Sequence, residues 1–244
     1  MTKTATGTLI MPKKAKIYIV GNNTRYNAMA TYVSGLHIEG AQIVDNHNAA
    51  NLIIFTGGED VTPALYNAPK HSKTFINVER DRYEVPFFHF ADLWEIPMIG
   101  ICRGAQLLTV LNGGSLIQNV DNHANGKHLI EFPRYNAKTL ASSTHHQMMY
   151  PYRSNKGENS DLVEGIDFEI IASTPESRAS KYELSDNHVI TSIDKEPEIV
   201  WYPKTNSLAI QSHPETQLND DKDKNYRKLI TQTIRDTIYS KYYK

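Results

Sequence analysis

A cysteine with a glycine on either side, placed where an apolar run gives way to a helix-like one, narrows the folds open to this chain. The segment reads Gly100-Ile101-Cys102-Arg103-Gly104-Ala105-Gln106, with Ile96-Pro97-Met98-Ile99 before it and an apolar run over 107–111 after it. Glycines two residues before and two after a cysteine fit a sharp strand-to-helix turn. Small neighbours let the central side chain hold a strained conformation at the start of the helix. The unpaired N–H groups and dipole of a helix N-terminus favour a thiolate there. The N–H of Arg103 can then face a developing oxyanion. A lone cysteine is otherwise a small buried hydrophobe, and the Gly-x-Cys-x-Gly setting outweighs that reading.

A strand that feeds a helix is part of a βαβ unit, and the first half of the chain supplies more of them. Lys16-Ile17-Tyr18-Ile19-Val20 ends at Gly21-Asn22-Asn23, and Asn51-Leu52-Ile53-Ile54-Phe55 precedes Gly57-Gly58. Short apolar runs bounded by turn residues read as buried parallel strands. Helices are expected over 24–34 and 78–94, the second with Val85, Phe88 and Trp94 on one face and Pro86 tolerated or kinking it. The alternation implies an α/β fold, a parallel sheet with helices on both faces. Further strands are expected at 136–141, 167–172, 188–192, 198–201 and 207–211. Residues 150–165 read as a polar surface loop. A final helix is expected over 222–243, with acids at its start and Lys241 and Lys244 near its end. Residues 1–15 read as a flexible lead-in and 16–244 as one domain.

Composition limits the function classes. Hydrophobic residues make up 40% and charged residues 22% of the 244, so a packed core is feasible. Lys and Arg total 26 against 27 Asp and Glu, so overall charge gives no drive toward nucleic acid or membrane. A single cysteine excludes an intrachain disulfide and a multi-cysteine zinc site. No apolar run reaches the roughly 18 residues of a membrane helix, and the opening residues lack a secretory core, so a cytoplasmic location is expected. No phosphate-binding glycine loop follows a strand, and no cofactor is expected.

A thiol nucleophile needs a base, and the base needs an orienting partner. Gln211-Ser212-His213-Pro214-Glu215 offers both. In an extended segment the side chains of His213 and Glu215 leave the same face, and Pro214 keeps the segment out of a helix. Glu215 could hold one ring nitrogen of His213 while the other faces Cys102. Gly57-Gly58, after a strand, is a second source of backbone donors. Four histidines, His123, His128, His145 and His146, invite a metal. Adjacent histidines on a strand point to opposite faces, so no metal site is expected. Arg80 and Asp81 read as a structural ion pair or cap.

These residues together resemble the class I glutamine amidotransferases, and within them the gamma-glutamyl hydrolase branch with its bacterial gamma-glutamyl-GABA hydrolase-like proteins (peptidase family C26-like). Thr56-Gly57-Gly58-Glu59-Asp60-Val61-Thr62-Pro63 resembles the branch's Gly-Gly-x-Asp-Val-x-Pro motif. Arg80-Asp81 with Glu84 resembles its Arg-Asp-x-x-Glu helix. The stretch 97–106 followed by Gly113-Gly114-Ser115-Leu116 and Gln118 is the longest match. His123 and His128 match its paired histidines, and Ser143-Thr144-His145-His146-Gln147 its Ser-x-His-His-Gln.

The resemblance implies a flavodoxin-like three-layer αβα sandwich around a mostly parallel sheet. It implies a Cys102–His213–Glu215 triad that cleaves gamma-glutamyl amide bonds through a thioester on Cys102. It implies an oxyanion hole from the N–H groups of Gly58 (or Gly57) and Arg103, and Gln106, His146 and Gln147 around the substrate. The expected partner is a small gamma-glutamyl molecule. Two other readings stay open. One is a glutaminase subunit that passes ammonia to a separate synthetase, and the other is an inactive binding or regulatory homologue. A homodimer is also left open. The sequence departs from the branch at Asn67, Thr109, Asn119 and Ser212. Ser212 stands where an aromatic is common, which implies extra room near the nucleophile on the acceptor side.

Overall fold

The computed structural model describes residues 15–20, 36, 38, 40–124, 126–152, 167–217 and 223–240. The expected helix at 24–34, nearly all of the lead-in and most of the 150–165 loop lie outside them. Ala15, placed by the sequence reading in the lead-in, is fully buried, and its carbonyl accepts the Gln42 N–H at 2.8 Å.

The strands are β1 (Lys16–Val20), β2 (Gln42–Ile43), β3 (Leu52–Phe55), β4 (Met98–Ile101), β5 (Ser115–Ile117), β6 (Asn119–Val120), β7 (Lys127–Phe132), β8 (Ala137–Ser142), β9 (Met148–Tyr150), β10 (Glu169–Ser173), β11 (Tyr182–Ser185), β12 (His188–Ile190), β13 (Pro197–Tyr202) and β14 (Ser207–Ile210). The described helices are α1 (Val78–Leu93), α2 (Arg103–Leu111) and α3 (Lys224–Asp236).

Nine strands form one sheet in the order β2-β1-β3-β4-β14-β13-β10-β7-β8. The first five pair in parallel, and the pairings from β14 to β8 are antiparallel. The parallel part has the 2-1-3-4-5 order of the flavodoxin-like doubly wound fold. β5 pairs with β9, and β12-β11-β6 form a small third sheet.

Both faces of the parallel strands are covered. Along β3, Leu52 and Ile54 pack with Tyr226, Leu229, Ile230 and Ile234 of α3, while Ile53 and Phe55 pack with Phe88 and Ala91 of α1 and Leu107 and Leu108 of α2. Period-two alternation therefore feeds two cores, one on each face of the sheet. Each large apolar side chain buried this way contributes about 1.5–3 kcal/mol.

Several local expectations are corrected. Trp94 does not join the buried face of α1, and two-thirds of it is exposed. The helix ends at Leu93, and Glu95 turns the chain with φ 51. Pro86 sits inside α1. The C-terminal helix stops at Asp236, short of the expected 243. The Thr237 N–H and hydroxyl both bond the Thr233 carbonyl, and Ile238 and Tyr239 turn into the core. Asp223 at its start does not cap it, because its carboxylate takes Lys127 Nζ at 2.8 Å and Gln217 Nε2 at 3.0 Å. Among the described residues, no helix is long and apolar enough to cross a membrane.

Sheet register sets the site. Phe55 of β3, Gly100 of β4 and Ala209 of β14 are aligned across neighbouring strands. The carboxyl ends of the three strands are therefore level. The segments carrying Gly57, Cys102 and His213 leave the sheet at one edge, where open α/β sheets bind their ligands.

Candidate active site

Cys102 leaves β4 with φ 53 and ψ −110, a conformation that non-glycine residues rarely hold. Its N–H donates to the Ile210 carbonyl at 2.8 Å, and its carbonyl accepts the Gln106 N–H at 3.1 Å. The turn is thus tied to β14 behind it and opens α2 ahead of it. The flanking glycines are there for space. A Cβ on Gly100 would stand 2.4 Å from the Gly104 carbonyl oxygen, and one on Gly104 would stand 2.2 Å from that of Phe55. The elbow therefore packs backbone against backbone between β3, β4 and α2.

His213 lies just beyond β14. Its N–H donates to Ser142 Oγ at 2.7 Å, and its ring Nδ1 lies 2.5 Å from Glu215 Oε1. The two side chains meet as expected, but not through an extended segment. Pro214–Thr216 is a turn of 3-10 helix. Proline's fixed φ suits the first position of a helix, and the Thr216 and Gln217 N–H groups close the turn onto the His213 and Pro214 carbonyls. Burial works against charge on the His213 ring, yet hydrogen bonds with Cys102 and Glu215 lift it to about 10. Glu215 holds Nδ1, and Cys102 is the ring's other partner.

The Gly57-Gly58 turn lies against both. A Cβ on Gly57 would stand 3.1 Å from His213 Cε1 and 3.5 Å from Cys102 Cβ. Gly58 has φ 142, and a Cβ there would strike Arg80 Nη1 at 2.0 Å. Arg80 braces the turn from behind. Its Nη2 donates to the Gly57 carbonyl at 2.9 Å and the Thr56 carbonyl at 3.1 Å, and its Nη1 to Glu59 at 2.7 Å.

Arg80 and Asp81 both serve structural ion pairs, but each binds other residues and they do not bind one another. Arg80 Nε binds Glu84 at 2.7 Å, and the Arg103 guanidinium binds both Glu84 and Asp81. Asp81 also accepts the Thr62 N–H at 2.9 Å. Asn77 caps the helix, accepting the Arg80 N–H at 3.1 Å. Burial, with Arg80 nearby, lowers the Arg103 guanidinium to about 10. This network joins the two backbone segments proposed as oxyanion donors, Gly57-Gly58 and Arg103. The positions 80, 81 and 84, charged on the face of α1 that also carries Phe88 and Ala91, were the signal that could have found it.

The expected substrate positions are brought to the same region. Gln106, one turn into α2, donates to the Gln147 carbonyl at 3.2 Å. Gln147 Nε2 donates to Thr74 Oγ1 at 3.1 Å. His146 Nε2 lies 3.0 Å from Asp60 Oδ1, and its side chain is 39% exposed. His145 turns the other way into the interior, its Nδ1 2.8 Å from the Gln147 carbonyl. The two histidines do diverge, but from a loop between β8 and β9 and not from a strand.

The departures are accommodated. Asn67 has φ 55, a left-handed position where asparagine can stand in for glycine. Thr109 donates to the Ala105 carbonyl at 3.0 Å and accepts Tyr202 OH at 2.9 Å. Asn119 bonds Glu183. The Ser212 side chain turns toward α3. It is fully buried, with Oγ 2.7 Å from the Tyr226 hydroxyl of α3.

Comparisons with known proteins bear on the fold and the family. Protein NtpR of Enterococcus hirae is 39% identical over 72 residues, 29% of this chain and 30% of NtpR. The glutamine amidotransferase-like protein YvdE of Lactococcus lactis subsp. lactis is 28% identical over 169 residues, 61% of this chain and 66% of YvdE. The chain thus matches under a third of the first relative's length. A glutamine amidotransferase from Thermotoga maritima shares the fold with a TM-score of 0.54 at 12% identity, over 93% of this chain and 99% of its own. PurLQS from the same organism does so with a TM-score of 0.53 at 15% identity, over 92% and 99%. The family match runs over residues 15–215, from the start of β1 to Glu215, and the chain belongs to the peptidase C26 family of the class I glutamine amidotransferase-like superfamily.

Proposed function

We propose that the chain hydrolyses gamma-glutamyl amide bonds with Cys102 as nucleophile. The observation that carries this is the convergence of Cys102, His213 and Glu215 beside the Gly57-Gly58 turn, from three strand ends and across more than 150 residues of sequence.

The Cys102 thiolate attacks the gamma-carbonyl carbon. The carbonyl oxygen takes the negative charge and is met by the N–H groups of Gly58 (or Gly57) and Arg103. As the C–N bond breaks, the His213 imidazolium gives its proton to the leaving amine, and a gamma-glutamyl thioester remains. Neutral His213 then takes a proton from water, whose oxygen attacks the thioester. Glutamate leaves and the thiolate–imidazolium pair is restored. Two acyl transfers replace one direct attack of water on an amide. Glu215 holds the His213 ring in place and stabilises its charged form. Gln106, His146 and Gln147 surround the glutamyl group.

Glutamate and amine release from L-glutamine and from a panel of gamma-glutamyl amines and peptides tests the reading. Cleavage of an amine or peptide substrate well above glutamine supports the free-standing hydrolase. Glutamine turnover that rises only with a synthetase chain added supports the ammonia-donating subunit instead. An inert thiol with no turnover leaves the regulatory homologue.

The pH profile gives a second check. The folded state raises His213 above its ordinary value of about 6.5, to about 10. The protonated ring that serves the leaving amine is therefore kept across the neutral range and lost only as pH climbs through about 10. kcat/KM is expected to hold until that limb. Glu215→Gln removes one of the two partners that raise the ring, so the limb moves to lower pH. An alkaline limb near pH 7 in the unmodified chain would contradict the pairing.

A further inference from the structure

Behind the 143–147 loop lies a second cluster that the proposed reaction does not use. His123, His128, His145 and Glu198 come from the segment after β6, from β7, from the β8–β9 loop and from β13. All four are buried, none more than 4% exposed. Three ring nitrogens point at one carboxylate oxygen. His128 Nε2 lies 2.9 Å, His123 Nδ1 3.8 Å and His145 Nε2 3.8 Å from Glu198 Oε1. None of these nitrogens, and neither oxygen of Glu198, has a hydrogen-bond partner.

The outer nitrogens decide the tautomers. His145 Nδ1 faces the Gln147 carbonyl, which can only accept, so Nδ1 carries the proton and Nε2 presents a lone pair. His123 Nε2 lies 3.1 Å from Glu196 Oε2. Glu196 is itself an acceptor throughout, taking the N–H groups of Arg178 and Ala179 and the hydroxyls of Thr174 and Tyr182. The His123 proton therefore sits on Nε2, and Nδ1 also presents a lone pair inward. Two lone pairs and a carboxylate thus meet in a dry interior with His128 as the one ring whose tautomer no outer partner fixes, an arrangement that a cation between them would satisfy.

We propose that His123, His128 and Glu198, whose ligand atoms lie within 4.8 Å of one another, bind a divalent transition metal of the zinc type, with His145 Nε2, 3.8 Å from Glu198 Oε1, closing it as the fourth ligand of a structural site. Three imidazole nitrogens and one carboxylate oxygen suit zinc. The outward contacts of His123 to a carboxylate and of His145 to a backbone carbonyl are the supports that metal-bound histidines use. Burial of all four side chains leaves no open position for substrate, which marks the site as structural. It would join β7, β13 and the loop that carries His146 and Gln147. The Glu198 carbonyl accepts the Gln211 N–H at 2.8 Å, two residues before His213, so the joined elements form the back wall of the proposed active site. The sequence argument discounted a metal because it weighed neighbours on one strand, whereas these ligands come from four separate segments.

The untagged chain, purified without chelator, is assayed for metals by plasma mass spectrometry, alongside Cys102→Ala and His128→Ala. About one equivalent of zinc per chain is expected in the first two. Retention by Cys102→Ala separates this site from the Cys102–His213 pair, so the result does not depend on the proposed reaction. His128→Ala is expected to lose most of the metal. Cobalt added to the metal-free wild-type chain gives a check that needs no variant to fold. It is expected to give the strong visible absorption of a four-coordinate ion without a thiolate charge-transfer band. Wild-type chain that holds less than about a tenth of an equivalent even after incubation with zinc, or His128→Ala that keeps the full equivalent, would overturn the site.

Discussion

Cys102→Ala is expected to lower kcat/KM for a gamma-glutamyl amide by at least about 10⁴-fold, with the fold intact. The size follows from losing covalent catalysis while the proposed backbone donors of Gly57-Gly58 and Arg103 remain to support slow attack by water. Cys102→Gly sharpens the test, because it separates chemistry from stability. Cys102 holds φ 53 and ψ −110, and a non-glycine residue so placed costs about 1–3 kcal/mol. Glycine accepts that conformation and gives back only about 0.4–1 kcal/mol through the greater freedom of the unfolded chain. Cys102→Gly is therefore expected to be as inactive as Cys102→Ala yet to melt at or above the wild-type temperature. Steady-state turnover and thermal melts on the three proteins measure both effects. Turnover of Cys102→Ala within tenfold of wild type would remove Cys102 from the chemistry.

Glu84→Ala is expected to cost about 3–5 kcal/mol, the usual range for breaking a buried ion pair. Glu84 is fully buried and shared by the Arg80 and Arg103 guanidinium groups. Without it, Arg103 keeps Asp81, and Arg80 keeps the more exposed Glu59 and its carbonyl contacts. Two buried positive charges then share less compensation. At roughly 2–4 °C per kcal/mol for a chain of this length, the melting temperature should fall by about 6–20 °C. Activity should fall further than instability explains, because Arg80 holds the Gly57-Gly58 turn and the Arg103 backbone is the proposed source of the facing N–H. Glu84→Gln keeps acceptor and volume and should lie between the two. Turnover assayed well below both melting temperatures separates the effects. A melt within about 1 °C of wild type would mean the network contributes nothing net, as exposed ion pairs often do.

Much of this molecule could be read along the chain. Gly100, Cys102 and Gly104 pointed to the elbow because strand-to-helix turns impose a local spacing of small residues. The Asn51–Phe55 run announced β3 because a strand buried on both faces must be apolar throughout. His213 and Glu215 could be paired because only a proline separates them. What spacing left out were the partners of these groups. Arg80 and Asp81 are adjacent yet bind different segments. Ser212 precedes His213 but packs against Tyr226 of a distant helix. His123, His128 and His145 could be grouped along the chain, but nothing in their spacing showed that Glu198 lies among them.

The difference has one physical origin. Turn sterics, helix dipoles and strand alternation act over a few residues, and so the amino-acid order alone carried the elbow, the α/β class and the candidate triad. Partners separated by 20 to 110 residues meet only because β3, β4 and β14 are held level by their hydrogen-bond register and α1 is packed on one face of that sheet. Tertiary structure therefore decided which charges brace the Gly57-Gly58 turn, where Ser212 points, and that three histidines share one carboxylate.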